Sequence, residues 1–77
     1  MIKIKAKAKE IKRCRILKGY SQVDTAREVS LNPASYCLIE NGKLGVRAQT
    51  AKRITVFLNR PFDDLFEIQE LEETANG

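Results

Sequence analysis

Residues 21–43, SQVDTAREVSLNPASYCLIENGK, decide how the chain folds. They read as two short helices joined by a tight turn, the second stopped at Asn41-Gly42. Ser21 is placed to cap the first helix and Asn32 the second. Pro33 follows at the first helical position, where its missing N–H costs nothing. Apolar or small residues at Ala26, Val29, Leu31, Tyr36 and Ile39 let the two helices cross steeply and bury one shared seam. The outer face of the second helix, Ala34, Ser35 and Leu38, carries no charge.

Outward from this core the pattern predicts three more helices. One runs from about residue 8 to 18 and stops at Gly19, a natural C-terminal stop. The seam helices cover about 22–29 and 33–41. A fourth covers about 48–58, with Ala48, Ala51, Ile54, Thr55 and Leu58 on one face and no good cap at its start. Pro61 opens a short fifth, where Asp63 and Asp64 suit the positive dipole end. The two ends alternate instead: Ile2-Lys3-Ile4-Lys5 and Phe66-Glu67-Ile68-Gln69 have period two and opposite charges. That pairing favours a two-stranded ribbon packed on helix one or four over a basic arm wrapped around a duplex, with Lys7 and Lys9 left for phosphate. Residues 1–69 are expected to form the one domain, and 70–77 an acidic disordered tail.

Charge divides sharply along the chain. Residues 1–60 hold all 14 Lys and Arg against four acids, a net of +10. Residues 61–77 hold six acids and no base, a net of −6. A basic body around an uncharged helix face suits a DNA groove better than bulk water. Seventy-seven residues bury only one modest core, and chains of this size often gain stability by pairing. No apolar run is long enough to span a bilayer, and Lys at every second N-terminal position is unlike a signal peptide, so no membrane and a cytoplasmic location are expected.

The residues of the two seam helices and their flanks resemble the helix-turn-helix of the Cro and lambda-repressor class, the XRE family. Ile11, Cys14, Arg15, Lys18 and Gly19 stand where that family has its Leu-x-x-Leu-Arg-x-x-Lys-Gly pattern. Ser21-Gln22, Ala26 and Ile39-Glu40-Asn41-Gly42-Lys43 match its central motif, and Ile54, Leu58 and Asp63-Asp64-Leu65-Phe66 its closing helices. The resemblance covers about residues 11–66 without a gap. It departs at Thr25, where the family usually has Leu, at Ser30, where the turn usually has Gly, and at Tyr36, which replaces a smaller Ile or Val.

The resemblance implies a mainly α fold: a compact five-helix, lambda-repressor-like bundle, here joined by the terminal ribbon. It implies a sequence-specific transcriptional regulator, a bacterial or phage repressor, that inserts helix 33–41 into the major groove as a homodimer on a palindromic operator. Pro33, Ala34, Ser35 and Leu38 match base-contact positions. Gln22, Asn32, Asn41, Lys43 and Arg47 match positions that grip phosphates. Arg15 and Glu40 match an ion pair linking helix one to the end of the reading helix. Dimer contacts in the family come from the last helices, here Val56, Phe57, Asn59, Arg60 and Phe62. Val56 and Phe57 lie off the apolar face of helix four.

Enzyme chemistry finds little support. The chain has no His, no glycine-rich phosphate loop, and no Ser or Cys beside a plausible base. Asp63 and Asp64 are adjacent and point apart on a helix. Cys14 and Cys37 lie 23 positions apart, which excludes the usual zinc spacings, so neither a metal nor a cofactor is expected. Cys14 reads as a small buried hydrophobe, and Cys37 as an inert thiol rather than a redox switch. The main rival is an antitoxin or anti-repressor module acting chiefly through a protein partner, since an apolar face at Pro33, Ala34 and Leu38 suits either. A steep loss of binding with salt separates DNA from protein.

Overall fold

The computed structural model describes residues 2–70. In chain order they form β1 (Ile2–Ala6), α1 (Ala8–Lys18), α2 (Gln22–Glu28), α3 (Pro33–Glu40), α4 (Ala48–Leu58), α5 (Phe62–Leu65) and β2 (Phe66–Glu70). Glu70, expected to begin the tail, closes β2 instead, and the rest of that segment lies outside the described residues. Five helices surround one core, and the two strands pair the ends of the chain.

The caps set the helix limits. Ser21 Oγ accepts the Asp24 amide at 3.0 Å, which starts α2. Asn32 Oδ1 accepts the amides of Ala34 at 2.8 Å and Ser35 at 3.4 Å, which starts α3. Gly19 ends α1 with φ +84°, the left-handed conformation that a residue without Cβ adopts at little cost. α3 stops at Glu40, one residue earlier than its periodicity suggested. Gly42, at φ +75°, turns the chain back, and its amide and that of Lys43 bond the carbonyls of Ile39 and Leu38. α2 likewise stops at Glu28, because Ser30 takes φ +60°. Arg53 of α4 donates to the C-terminal end of that helix, at the Val29 carbonyl, at 3.0 Å. No side chain caps α4, as its sequence indicated. Pro61 is the cap of α5, and the helix proper begins at Phe62.

Ile11 and Cys14 of α1, Ala26 of α2 with Val29 just beyond it, and Tyr36 and Ile39 of α3 meet in the core. Ala51, Ile54 and Leu58 of α4 join them, closed by Leu65 and Phe66. Burying each of the larger side chains contributes about 1.5–3 kcal/mol, so no single one dominates. On α4 the buried stripe is narrower than expected. Ala48 is exposed and Thr55 half-buried, because only the stripe through Ala51, Ile54 and Leu58 is turned to the core.

β1 and β2 pair antiparallel, with Ile4 opposite Ile68, Lys5 opposite Glu67 and Ala6 opposite Phe66. The ribbon exists, but its apolar row is not buried along its length. Ile2 and Ile68 remain 64% and 59% exposed, while Phe66 at the near end is in the core. Nor does its support come chiefly from α1 or α4. β1 lies along the segment joining α3 to α4, where Val46 donates its amide to the Ile4 carbonyl at 3.0 Å. The N-terminus is therefore a strand and not a free arm.

Ser30 carries a local cost. A left-handed conformation is about 1–2 kcal/mol unfavourable for a residue with a Cβ, partly offset by the greater unfolded-state entropy of glycine. Ser30→Gly is expected to raise stability by about 0.5–1 kcal/mol. Urea unfolding should show a higher midpoint at unchanged slope; a lower midpoint would mean that the serine makes a compensating contact.

Candidate nucleic-acid interface

The interface rests on a buried carboxylate. Glu40, the last residue of α3, has no solvent exposure. Arg15 of α1 donates from Nε to Glu40 Oε1 at 2.8 Å and Oε2 at 3.1 Å, and from Nη1 to the Tyr20 carbonyl at 2.7 Å. Gln22, the first residue of α2, donates from Nε2 to Glu40 Oε2 at 3.2 Å. One carboxylate thus ties α1, α2 and α3 together. The guanidinium is not laid as a two-pronged fork on the carboxylate; it divides its donors between Glu40 and the backbone. The anticipated partners Arg15 and Glu40 are in contact. Gln22, expected at a phosphate, is half-buried and commits one amide hydrogen to Glu40, leaving its remaining polar groups for another partner.

Two hydroxyls beside this frame are buried without a hydrogen-bond partner among the described residues: Thr25 Oγ1 and Tyr36 Oη. Burial, then the negative charge of Glu40, push the Tyr36 phenol well above its ordinary value, with Arg15 opposing. The phenol lies close enough to Glu40 for the carboxylate to act on it, short of a well-formed hydrogen bond. It therefore stays neutral, and the frame holds one net pair of charges, Arg15 and Glu40.

With the inner side of α3 anchored, its outer side is presented to solvent. Pro33 and Ala34 are exposed, Ser35 is half-buried, and Leu38 is 45% exposed. No acidic or basic residue lies in the first or last turn of the helix other than the buried Glu40. Asn32 spends its carbonyl oxygen on the cap, which leaves its amide hydrogens outward. Asn41 directs Nδ2 to Cys37 Sγ at 3.5 Å. Lys43 and Arg47 are exposed in the segment that follows α3, Arg47 at the start of α4. These positions form one continuous stretch: an uncharged ridge of about the width of a helix, with cations at its trailing end.

The residues expected at a dimer contact divide. Val56 is 67% exposed and Asn59 ends α4 at φ +56°. Arg60 pairs with Asp64 at 3.1 Å on the surface. Phe57 also has contacts within its own chain. It is half-buried edge-on against Tyr20, at 4.9 Å and 87°, under the Lys18 ammonium at 4.9 Å. Phe62 stacks on Phe66 at 5.4 Å and belongs to the fold of its own chain. Lys7, expected to be available for phosphate, donates to the Asp63 carbonyl at 2.8 Å. Lys5 donates to the Gly42 carbonyl at 3.1 Å, a contact sequence reasoning missed. It joins residues 37 apart, and no local pattern announces it.

Among the described residues no group of three or more His, Cys, Asp or Glu is placed to hold a metal. Both cysteines are free thiols, Cys14 buried and Cys37 half-buried. No described helix is long and apolar enough to cross a membrane.

A helix-turn-helix family model matches residues 11–65, from the middle of α1 to the end of α5. The chain belongs to this XRE family of helix-turn-helix proteins, a class of DNA-binding transcription regulators and not of enzymes. No curated protein matches closely enough to add a second comparison.

Removing one partner of a buried pair strands the other charge and costs about 3–5 kcal/mol. Arg15→Met should therefore lower the melting temperature sharply, measured by circular dichroism. An unchanged transition would show that Glu40 does not need its guanidinium.

Proposed function

We propose that the protein is a sequence-specific repressor that binds a palindromic DNA operator as a homodimer, with α3 in the major groove. The observation that carries this reading is the uncharged outer face of α3, set between capping Asn32 and the exposed cations Lys43 and Arg47. The major groove admits one helix, and residues near its N-terminal end reach base edges. Pro33, Ala34 and Leu38 offer van der Waals contact to thymine methyls, and Ser35 offers one hydroxyl. Lys43, Arg47, Asn41 and Asn32, with the remaining polar groups of Gln22, take backbone phosphates and fix the register. Neither a cofactor nor an enzymatic step enters this reading, and the cytoplasm is where such a regulator works.

In a homodimer the two reading helices sit about 34 Å apart, one turn of the duplex. Val56, a large apolar residue of α4 that is 67% exposed, is the contact this reading keeps from the closing helices, with Asn59 and Arg60 beside it. Phe57 and Phe62 support that surface from within their own subunit.

Selection of bound DNA from a random pool is expected to return a palindrome with thymines under α3. Replacing those thymines by uracil should weaken binding severalfold, and affinity should fall steeply with salt. Equal affinity for uracil would remove the methyl readout. Salt-insensitive binding, or none, would favour a protein partner at the same exposed apolar face.

A further inference from the structure

The segment from Asn41 to Arg47 carries the cations of the proposed interface, and β1 is stitched along it. Val46 donates to the Ile4 carbonyl at 3.0 Å, and Lys5 Nζ donates to the Gly42 carbonyl at 3.1 Å. Gly45 lies between them. Its φ is not in the left-handed region, so backbone conformation does not call for glycine there. Space does. A Cβ at Gly45 would meet the Lys3 side chain at 3.3 Å from Cε and 3.4 Å from Cγ. The aliphatic stem of Lys3 therefore lies across the glycine, a use of the lysine stem that leaves its ammonium at the surface.

The surroundings of Lys3 differ from those of the next two lysines. Lys5 stands opposite Glu67 and is spent on Gly42, and Lys7 is spent on Asp63. Opposite Lys3 is Gln69, which is neutral and donates its own amide to Glu67. The antiparallel sense of the Ile4–Val46 bridge carries Lys3 toward Arg47, on the strand face opposite Ile4 and Val46. A lysine stem seated on Gly45, close in sequence to both Lys43 and Arg47, gathers positive charge on one edge of the proposed interface. Such a cluster suits an anion that spans it better than it suits solvent.

We propose that Lys3 is a further phosphate-binding residue, held by β1 and seated on Gly45, and that it extends the backbone grip of the α3–α4 segment. The proposal rests on the DNA-binding reading given above. Its ligand is the phosphate backbone of duplex DNA, read without regard to base. The terminal ribbon then has a use beyond closing the fold: β2 holds β1, and β1 places a cation that the helix-turn-helix itself does not supply.

The test is the salt dependence of binding to the selected operator, for the wild type and three variants. Lys3→Gln keeps the first two methylenes of the stem, including the Cγ that faces Gly45, and removes the charge. Each phosphate contact contributes about 0.9 to the slope of log K against log salt, so this variant should show a slope shallower by about one at unchanged melting temperature. Lys3→Arg should restore the wild-type slope. Lys52→Ala, on the outer side of α4, should leave it unchanged. An unaltered slope for Lys3→Gln in a protein that still binds its operator overturns the proposal, as does an equal loss for Lys52→Ala, which would mean that only bulk charge is sensed. Absence of DNA binding by the wild type overturns the functional reading first, and this inference with it.

Discussion

Glu40 is the constraint on which the rest of the structure depends. A carboxylate with no exposure needs partners, and its partners come from two other helices: Arg15 of α1 and Gln22 of α2. Such a pair is weak evidence for net stability, because desolvation consumes much of the attraction. Its value here is geometric. Apolar packing at Ala26, Val29, Tyr36 and Ile39 tolerates small rotations of α3 about its axis, whereas hydrogen bonds at 2.8–3.2 Å to a carboxylate at its end do not. With the inner side of α3 fixed, the rotation that presents Ala34 and Leu38 outward is fixed as well. The outward face of α3 is thus set by a charge that solvent never touches.

The same region holds the local costs of the fold. Ser30 takes a left-handed conformation at the turn, and the hydroxyls of Thr25 and Tyr36 are buried without partners. These are positions where the resemblance to the family's usual pattern is broken. The larger Tyr36 ring fills the space at the seam, and its hydroxyl comes up beside the Glu40 carboxylate without a well-formed hydrogen bond. Nothing in the structure explains Thr25, whose methyl packs but whose oxygen is stranded.

Much of this was legible in the sequence because it is encoded locally. Ser21 and Asn32 announce helix starts, and Gly19 and Asn41-Gly42 announce stops, since each acts on amides or carbonyls within a few residues of itself. The alternation at Ile2–Lys5 and Phe66–Gln69 was enough to pair the two ends. What could not be read depends on where elements land. Ala48 fits the apolar period of α4 yet faces solvent, because only the stripe through Ala51, Ile54 and Leu58 is turned to the core. Phe57 fits no stripe and still finds Tyr20 and Lys18, which the end of α1 brings to it. Gln22 was expected at a phosphate, and nothing in its own neighbourhood reveals a carboxylate 18 residues away. Gly45 left a signal, a glycine with no turn to make, but its meaning required β1 to be in place.

The most direct test of the account is a map of amide chemical shifts as the selected operator is titrated into isotopically labelled protein. A fixed frame presenting α3 predicts large changes at residues 32, 34–38 and 41–47, with the amides of Arg15 and Glu40 nearly unmoved. Large changes at Arg15 and Glu40 would show that the frame rearranges on binding. Changes confined to the outer side of α4, with α3 silent, would contradict the account outright.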